Sequence, residues 1–328
     1  MKKILITGAY GYLGMVLIKI LKKSYKIIAL DTMLYGEKLI MHKNVKNYIG
    51  TVEDDYLINK IFNKNKNINT IIHLSGVSND PSALLSKKLT KKTNINSTQI
   101  LIYYCNKYNV QRFLFASSCS VYGFTGNKKF VDENSKVNPL SDYAVSKIKS
   151  EKIIFKNANS KLCVTSLRKA TLFGMSPRMR FDLVVNTMTG SAFDKKKITV
   201  NGGNQWRPFL HVEDAAFIYK KFIEVDTKLI NGKIFNVGNT KHNYQISKVA
   251  GIISKITNSK ISKSGNDDNR SYKVNFDKLS KVLNYTPQKG IAEGCKEILK
   301  AFKTKKIKNF RDINYYNIKR LLSFLNIE

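Results

Sequence analysis

The chain has 328 residues, 57 lysines and arginines against 23 aspartates and glutamates, and a formal net charge of +34, enough length for a large core with a nucleotide-binding domain and a smaller lobe. Pro is scarce at 5 residues and no Gly/Ser tract marks a linker; no apolar run reaches the roughly 18 residues of a membrane helix, so no membrane partner is expected. The charge comes mainly from lysines scattered over nearly every predicted helix and loop, with no recognition module beside them, which excludes nucleic acid as the expected partner and leaves weak attraction of anionic ligands.

Residues 3–7, Lys-Ile-Leu-Ile-Thr, form a short apolar run, followed by Gly8-Ala9-Tyr10-Gly11-Tyr12-Leu13-Gly14 and an apolar-periodic stretch through Leu21. The pattern predicts strand, glycine turn and helix. Gly8 allows the tight turn, Gly11 lets the backbone approach a pyrophosphate, and Gly14 lets helix and sheet pack closely, with the helix N-terminus facing the phosphates. Met1-Lys2-Lys3 before apolar residues resembles the start of a signal peptide, but three glycines interrupt the segment and no small-x-small cleavage site follows. The next apolar run, residues 26–30, ends at Asp31. That carboxylate is placed to accept hydrogen bonds from both ribose hydroxyls and to repel a 2′-phosphate, so the expected cofactor is NAD rather than NADP.

Further strands are predicted near 46–50, 69–74, 112–117, 162–167 and 234–237, with helices between most of them. This alternation predicts an α/β fold with a doubly wound parallel sheet. Ligand sites belong at the carboxyl ends of such strands, where Gly8, Asp31, Ser75-Gly76, Ser117 and Ser118 fall. Tyr143 and Lys147 stand at i and i+4 on a predicted helix, so phenol and ammonium share one face and the cation favours the phenolate. With a hydroxyl from Ser118 they form a candidate acid/base site for interconverting a carbinol and a carbonyl. The four cysteines, Cys105, Cys119, Cys163 and Cys295, show no metal-ligand spacing and imply a reducing, cytoplasmic compartment. Of eight arginines, the five from Arg168 to Arg270 fall in the region expected to face a substrate, where a bidentate phosphate donor is useful.

Taken together, Thr7 to Gly14, Asp31, His73-Leu-Ser-Gly76, Asn94, Ser117 to Gly123, Tyr143 to Lys147, residues 206–214 and Arg270-Ser-Tyr272 resemble the extended short-chain dehydrogenase/reductase family, in its sugar-nucleotide epimerase/dehydratase branch. The resemblance runs from about residue 3 to about residue 290. It implies a Rossmann-type NAD-binding domain over residues 1–170, with 205–240 returning to it, and a sugar-nucleotide-binding lobe from 171–204 and 241–328. Tyr143 is then the base for the sugar C4 hydroxyl, Lys147 lowers its pKa and holds the nicotinamide ribose, and Ser118 bridges to the same oxygen. The cofactor would be lined by Tyr10, Tyr12 and Leu13 of the glycine turn, by Leu74, Ser75 and Gly76, and by Ser117. Thr51 and Val52 match the adenine contact, where the family usually carries Asp in place of Thr51. On the substrate side the resemblance points to Ser118, Cys119, Thr171, Arg180, Asn186, Arg207 and Arg270, with Asn186 opening a substrate helix and the last two arginines gripping the nucleotide diphosphate. Asn94 is expected to support the backbone near Tyr143.

The departure at Cys119-Ser120 bears on reaction type. Dehydratases of the family carry Asp-Glu there, because eliminating water needs an acid and a base beyond the tyrosine. The expected reaction is therefore 4-epimerisation of a nucleotide-diphosphate sugar through a 4-keto intermediate. A C4 dehydrogenase or keto-sugar reductase is the nearest alternative, and a non-catalytic NAD-binding regulator a distant one. Cys119 is expected to be mainly structural, residues 305–328 to form an amphipathic terminal helix, and helices near 94–109 and 143–159 to form the homodimer contact that the family uses.

Overall fold

The computed structural model describes all residues except 36–37, 127–129, 266–267, 269 and 327–328. Seven strands form the central sheet: β1 Lys3–Thr7, β2 Lys26–Asp31, β3 Val45–Ile49, β4 Ile68–His73, β5 Arg112–Ser118, β6 Cys163–Lys169 and β7 Lys233–Val237. Each lies within two residues of its expected place. Their order is β7-β6-β5-β4-β1-β2-β3 and every pairing is parallel. The order reverses between β1 and β4, which opens a crevice at the carboxyl ends of those strands. Ile4, Leu5 and Ile6 are fully buried, as are Ile71, Ile72, Phe113 and Leu114, because helices cover both faces of the sheet.

On one face α1, Tyr12–Leu21, buries eight of its ten residues. It packs against α7, Val212–Glu224, around a core that includes Ile18, Ala216 and Tyr219. On the other, α2 (Asp55–Lys64), α4 (Ser97–Lys107) and α5 (Asp142–Asn157) enclose Phe62, Leu101, Phe113 and Ile154. Short α3, Asp80–Leu85, follows β4. A third core, with Val185, Ile198, Phe209, Ile253 and Cys295, lies among α6 (Val184–Lys195), α8 (Ile246–Thr257) and α9 (Ile291–Lys303). Small sheets join Lys197–Asn201 to Lys260–Ser264, and Trp206–His211 to Thr171–Phe173 and Asn243–Gln245.

The terminal segment is less helical than its periodicity suggests. Among the described residues of that segment only α10, Asn317–Leu325, is α-helical, after a 3₁₀ turn at Ile313–Tyr315. Phe310 instead packs edge-on against Phe181, 5.0 Å between ring centres, so tertiary packing overrides the helical pattern. All four cysteines are buried and free. No described helix is long and apolar enough to cross a membrane, and among the described residues no cluster of His, Cys, Asp or Glu could hold a metal ion.

Candidate active site

A cleft of about 1120 Å³ runs along the carboxyl ends of β1, β2, β4, β5 and β6. At its centre Gly8 takes a left-handed φ of +69°, and a Cβ there would stand 2.7 Å from the backbone nitrogen of Ser75. The turns after β1 and β4 thus touch through backbone. A Cβ on Gly14 would meet the carbonyl oxygens of Gly8 and Ala9 at 2.5 Å. At Gly11, the N-cap of α1, it would meet only the Gly8 carbonyl, at 3.3 Å, so the space before the helix N-terminus admits a phosphate group. These residues fit a dinucleotide pyrophosphate.

Asp31 ends β2 at the cleft wall. It accepts N–H bonds from Tyr10 at 2.9 Å and Met33 at 2.8 Å. Burial raises its pKa, while those backbone donors and the Arg178 charge oppose the rise. Tyr12, Leu13, Thr51, Val52, Leu74, Ser75 and Gly76 also line the cleft, but the expected Tyr10 does not. Its phenol is buried and donates to Asn47 beyond β2, so only its backbone serves the site, by holding Asp31. His73, below the turn, is pushed down to about 3 by burial and the Lys147 charge, and is therefore neutral.

Ser117 and Ser118 end β5, and Tyr143 lies in the first turn of α5, whose N-cap Ser141 accepts the Ala144 N–H at 3.1 Å. Burial, then the charge of Asp80, pushes the Tyr143 phenol up to about 12; a hydrogen bond with Ser118 and the Arg180 charge pull the other way. The Lys147 ammonium is 5.6 Å from the centre of the Tyr143 ring, and burial pushes it down to about 8 against the pull of Glu151. Tyr143, Lys147 and Glu151 share one helix face. Glu151 is itself held by Arg168, at 3.0 and 2.7 Å. Asn94 donates to the Ser146 hydroxyl at 2.9 Å and to the Val77 carbonyl at 3.1 Å, anchoring α5 as expected.

Two neighbours differ from expectation. The 3₁₀ turn Cys119–Tyr122 directs Cys119 away from the cleft, where its thiol donates to the Arg168 carbonyl at 3.1 Å and burial raises its pKa. Ser120 takes the cleft-facing place and donates to the Ser118 hydroxyl oxygen at 3.0 Å. Lys169 at the end of β6 donates to the Ser117 carbonyl at 2.9 Å; burial and the Lys147 charge hold its pKa well below the usual lysine value. The site thus contains a second buried amine.

Across the cleft stand Thr171, Arg180, Arg207 and Arg270. Arg180 pairs with Asp182 through bonds of 2.9 and 2.8 Å. Arg207 reaches Asp268 at 3.0 Å, and Arg270 binds Asp268 at 2.8 Å and also Asp80. Arg168 does not face this cleft, because its pairing with Glu151 draws it behind the sheet. Nor does Asn186. The N-cap of α6 is Leu183, and the buried Asn186 amide is used internally: it donates to the Tyr12 hydroxyl at 3.0 Å and the Arg180 carbonyl at 2.9 Å, and accepts the Gly174 N–H at 3.0 Å.

The carboxylates Asp80, Asp182 and Asp268 were not anticipated. Two carried a local signal, since Asp182 and Asp268 lie two residues from Arg180 and Arg270; Asp80 is 190 residues from Arg270 and carried none. Asn317 and Arg320 of α10 also reach the cleft.

Residues 4–238 match the family described as the NAD dependent epimerase/dehydratase family. A dTDP-D-glucose 4,6-dehydratase of Dictyostelium discoideum is 29% identical over 76% of this chain, and the match spans 60% of that relative's length. A UDP-glucose epimerase of Bacillus subtilis, itself uncharacterized, is 28% identical over 89% of this chain and 95% of its own. In fold, the chain is similar to the crystal structure of a Thermotoga maritima UDP-glucose 4-epimerase with UDP-glucose, with a TM-score of 0.84 and 22% identity over 93% of this chain and 99% of the other.

Proposed function

The chain belongs to the NAD-dependent epimerase/dehydratase family, in the extended short-chain dehydrogenase/reductase branch, and from that premise we propose that this enzyme inverts C4 of a nucleotide-diphosphate sugar through a transient 4-keto intermediate. Tyr143 as phenolate takes the C4 hydroxyl proton, Ser118 shares it by hydrogen bond, and the Lys147 ammonium offsets the phenolate charge. NAD, when bound, supplies the acceptor and donor for the C4 hydride. The glycine turn, Asp31 and the wall of Val52 and Leu74 to Gly76 hold it beside Tyr143. Arg207 and Arg270 keep the diphosphate while the ketone presents its other face, and Tyr143 then returns the proton to the same oxygen. Two electrons leave C4 and two return, so no net reduction accumulates.

One observation carries the choice of epimerisation. Beside Ser118 the cleft offers the Ser120 hydroxyl where elimination would need a carboxylate, and Cys119 points elsewhere. Asp80 is engaged by Arg270 and Ser141.

The test is incubation with NAD and a panel of UDP-, GDP-, dTDP- and CDP-sugars. The expected result is a C4 epimer of one sugar without net NADH. Stoichiometric NADH identifies a dehydrogenase instead, and a 4-keto-6-deoxy product a dehydratase. Tyr143→Phe should lower turnover by roughly 10³-fold while NAD still binds; unchanged turnover removes this site from the reaction.

A further inference from the structure

Five guanidiniums line the cleft; three of them have carboxylates, Arg180 with Asp182, Arg207 with Asp268, and Arg270 with Asp268 and Asp80, and a fourth, Arg320, has none among the described residues but is only partly buried and donates to the Leu34 carbonyl. Arg178 has none among the described residues. It is 7% exposed, and its side chain donates only to neutral acceptors, from Nε to the Tyr35 carbonyl at 3.1 Å and from Nη2 to Asn317 Oδ1 at 2.5 Å. Nη1 has no protein partner among the described residues. Burial and repulsion from Arg180 bring its pKa down to about 10, which leaves it charged at neutral pH. Asp182 and Asp31 attract it without touching it, and a buried cation with no carboxylate in direct contact is costly. This one sits at the wall of a ligand cleft.

Its position decides which anion it serves. The loop carrying Arg178 is fastened to the glycine turn: Ser176 donates its hydroxyl to the Tyr12 carbonyl at 2.7 Å, and the Tyr12 phenol donates to the Gly174 carbonyl at 2.6 Å. The guanidinium lies 5.1 Å from the centre of the Tyr35 ring, in the loop just after Asp31. It therefore stands between the N-terminus of α1 and the end of β2. A sugar-nucleotide diphosphate has Arg207 and Arg270 on the other side, and a 2′-phosphate would meet the Asp31 carboxylate. The dinucleotide pyrophosphate is the anion that suits this place.

We propose that Arg178 is a cofactor-binding residue that clasps the NAD pyrophosphate opposite the glycine turn, and that Asn317 of α10 positions it. The C-terminal helix then belongs to the cofactor site. Asn317 also donates to the Ser78 hydroxyl at 3.1 Å, and Arg320 donates to the Leu34 carbonyl at 3.0 Å, tying α10 to the loops after β4 and β2. The inference rests on NAD dependence and is independent of the reaction at C4.

The experiment is calorimetric titration of the full chain and its Arg178→Met, Arg178→Lys and Asn317→Leu variants with NAD, ADP, adenosine, NADP and UDP. Arg178→Met should weaken NAD and ADP about 10- to 100-fold, the worth of a charge-assisted contact, and adenosine, which lacks phosphate, by less than about twofold. Arg178→Lys should recover part of the loss, and Asn317→Leu should give a smaller loss with the same insensitivity to adenosine. If Arg178→Met does not fold, the other two variants carry the same pattern. Equal losses for adenosine, a loss confined to UDP, or a larger loss for NADP than for NAD each overturn the assignment. Wild-type protein that binds neither NAD nor ADP overturns NAD dependence along with it.

Discussion

The cofactor wall of the cleft presents backbone at Gly8, Gly11 and Gly14, with the Asp31 carboxylate held by two N–H donors. The opposite wall presents arginines already paired with Asp182, Asp268 and Asp80. Backbone has one shape and tolerates no added atom, so the first wall should fail by steric exclusion. Ion pairs can exchange partners, so the second should respond by graded changes in affinity. The Tyr143 and Lys147 pair lies between them.

The largest effect is expected where the backbone is tightest. Gly14→Ala places its Cβ 2.5 Å from two carbonyl oxygens, so α1 must shift from the turn, and NAD affinity should fall roughly 100-fold in a fluorescence titration with NADH. Unchanged affinity would break the contrast between the walls. The next effect is a pH dependence. Burial pushes Lys147 down to about 8 and the Tyr143 phenol up to about 12, and the phenolate beside the ammonium is the form of the pair that is reached when one proton is lost. Catalysis needs the pair with one proton removed, so kcat should rise with pH to about 8 and then level. In Lys147→Met the phenol loses its cation; the rising limb should continue beyond about pH 10, with turnover at neutral pH reduced roughly 100-fold. A break that stays near 8 means that another group, with buried Lys169 the first candidate, sets the profile.

The same contrast explains what could be read from the chain. Strand alternation and the glycine spacing report constraints between near neighbours, so the sheet and the place of Asp31, Ser118, Tyr143 and Lys147 in the cleft were legible. Cys119 and Asn186 were misplaced because a 3₁₀ turn and an internal hydrogen-bond network set their directions, and neither has a spacing signature. Arg168 looked like its neighbours in sequence, yet Glu151 on α5 draws it to the other face of the sheet. The terminal segment was read as one helix, because the anchoring of Phe310 against Phe181 is a tertiary event. Polar partners separated by a hundred residues or more, such as the ion pair of Asp80 and Arg270 or the hydrogen bond from Asn79 to Asp182, leave no pattern to find.

The smallest expected effect is the most specific to the arginine wall. Asp268 accepts from Arg207 Nη2 at 3.0 Å, from Arg270 Nε at 2.8 Å and from the Arg270 N–H at 2.9 Å. Burial would raise its pKa, but hydrogen bonds from Arg270 and the charge of Arg207 outweigh that and keep it ionised. A nucleotide diphosphate gripped by the same two arginines must displace this carboxylate or share its donors. Asp268→Asn keeps the size and one acceptor oxygen while removing the charge, so KM for the nucleotide sugar should fall about 3- to 10-fold with kcat and NAD affinity unchanged. Because the Asp268 side chain is 30% exposed, the gain should be largest at low ionic strength and shrink as salt screens the competition. A rise in KM would reverse the reading: Asp268 would then hold the guanidiniums in their binding geometry, and the arginine wall would be as preorganised as the glycine wall opposite.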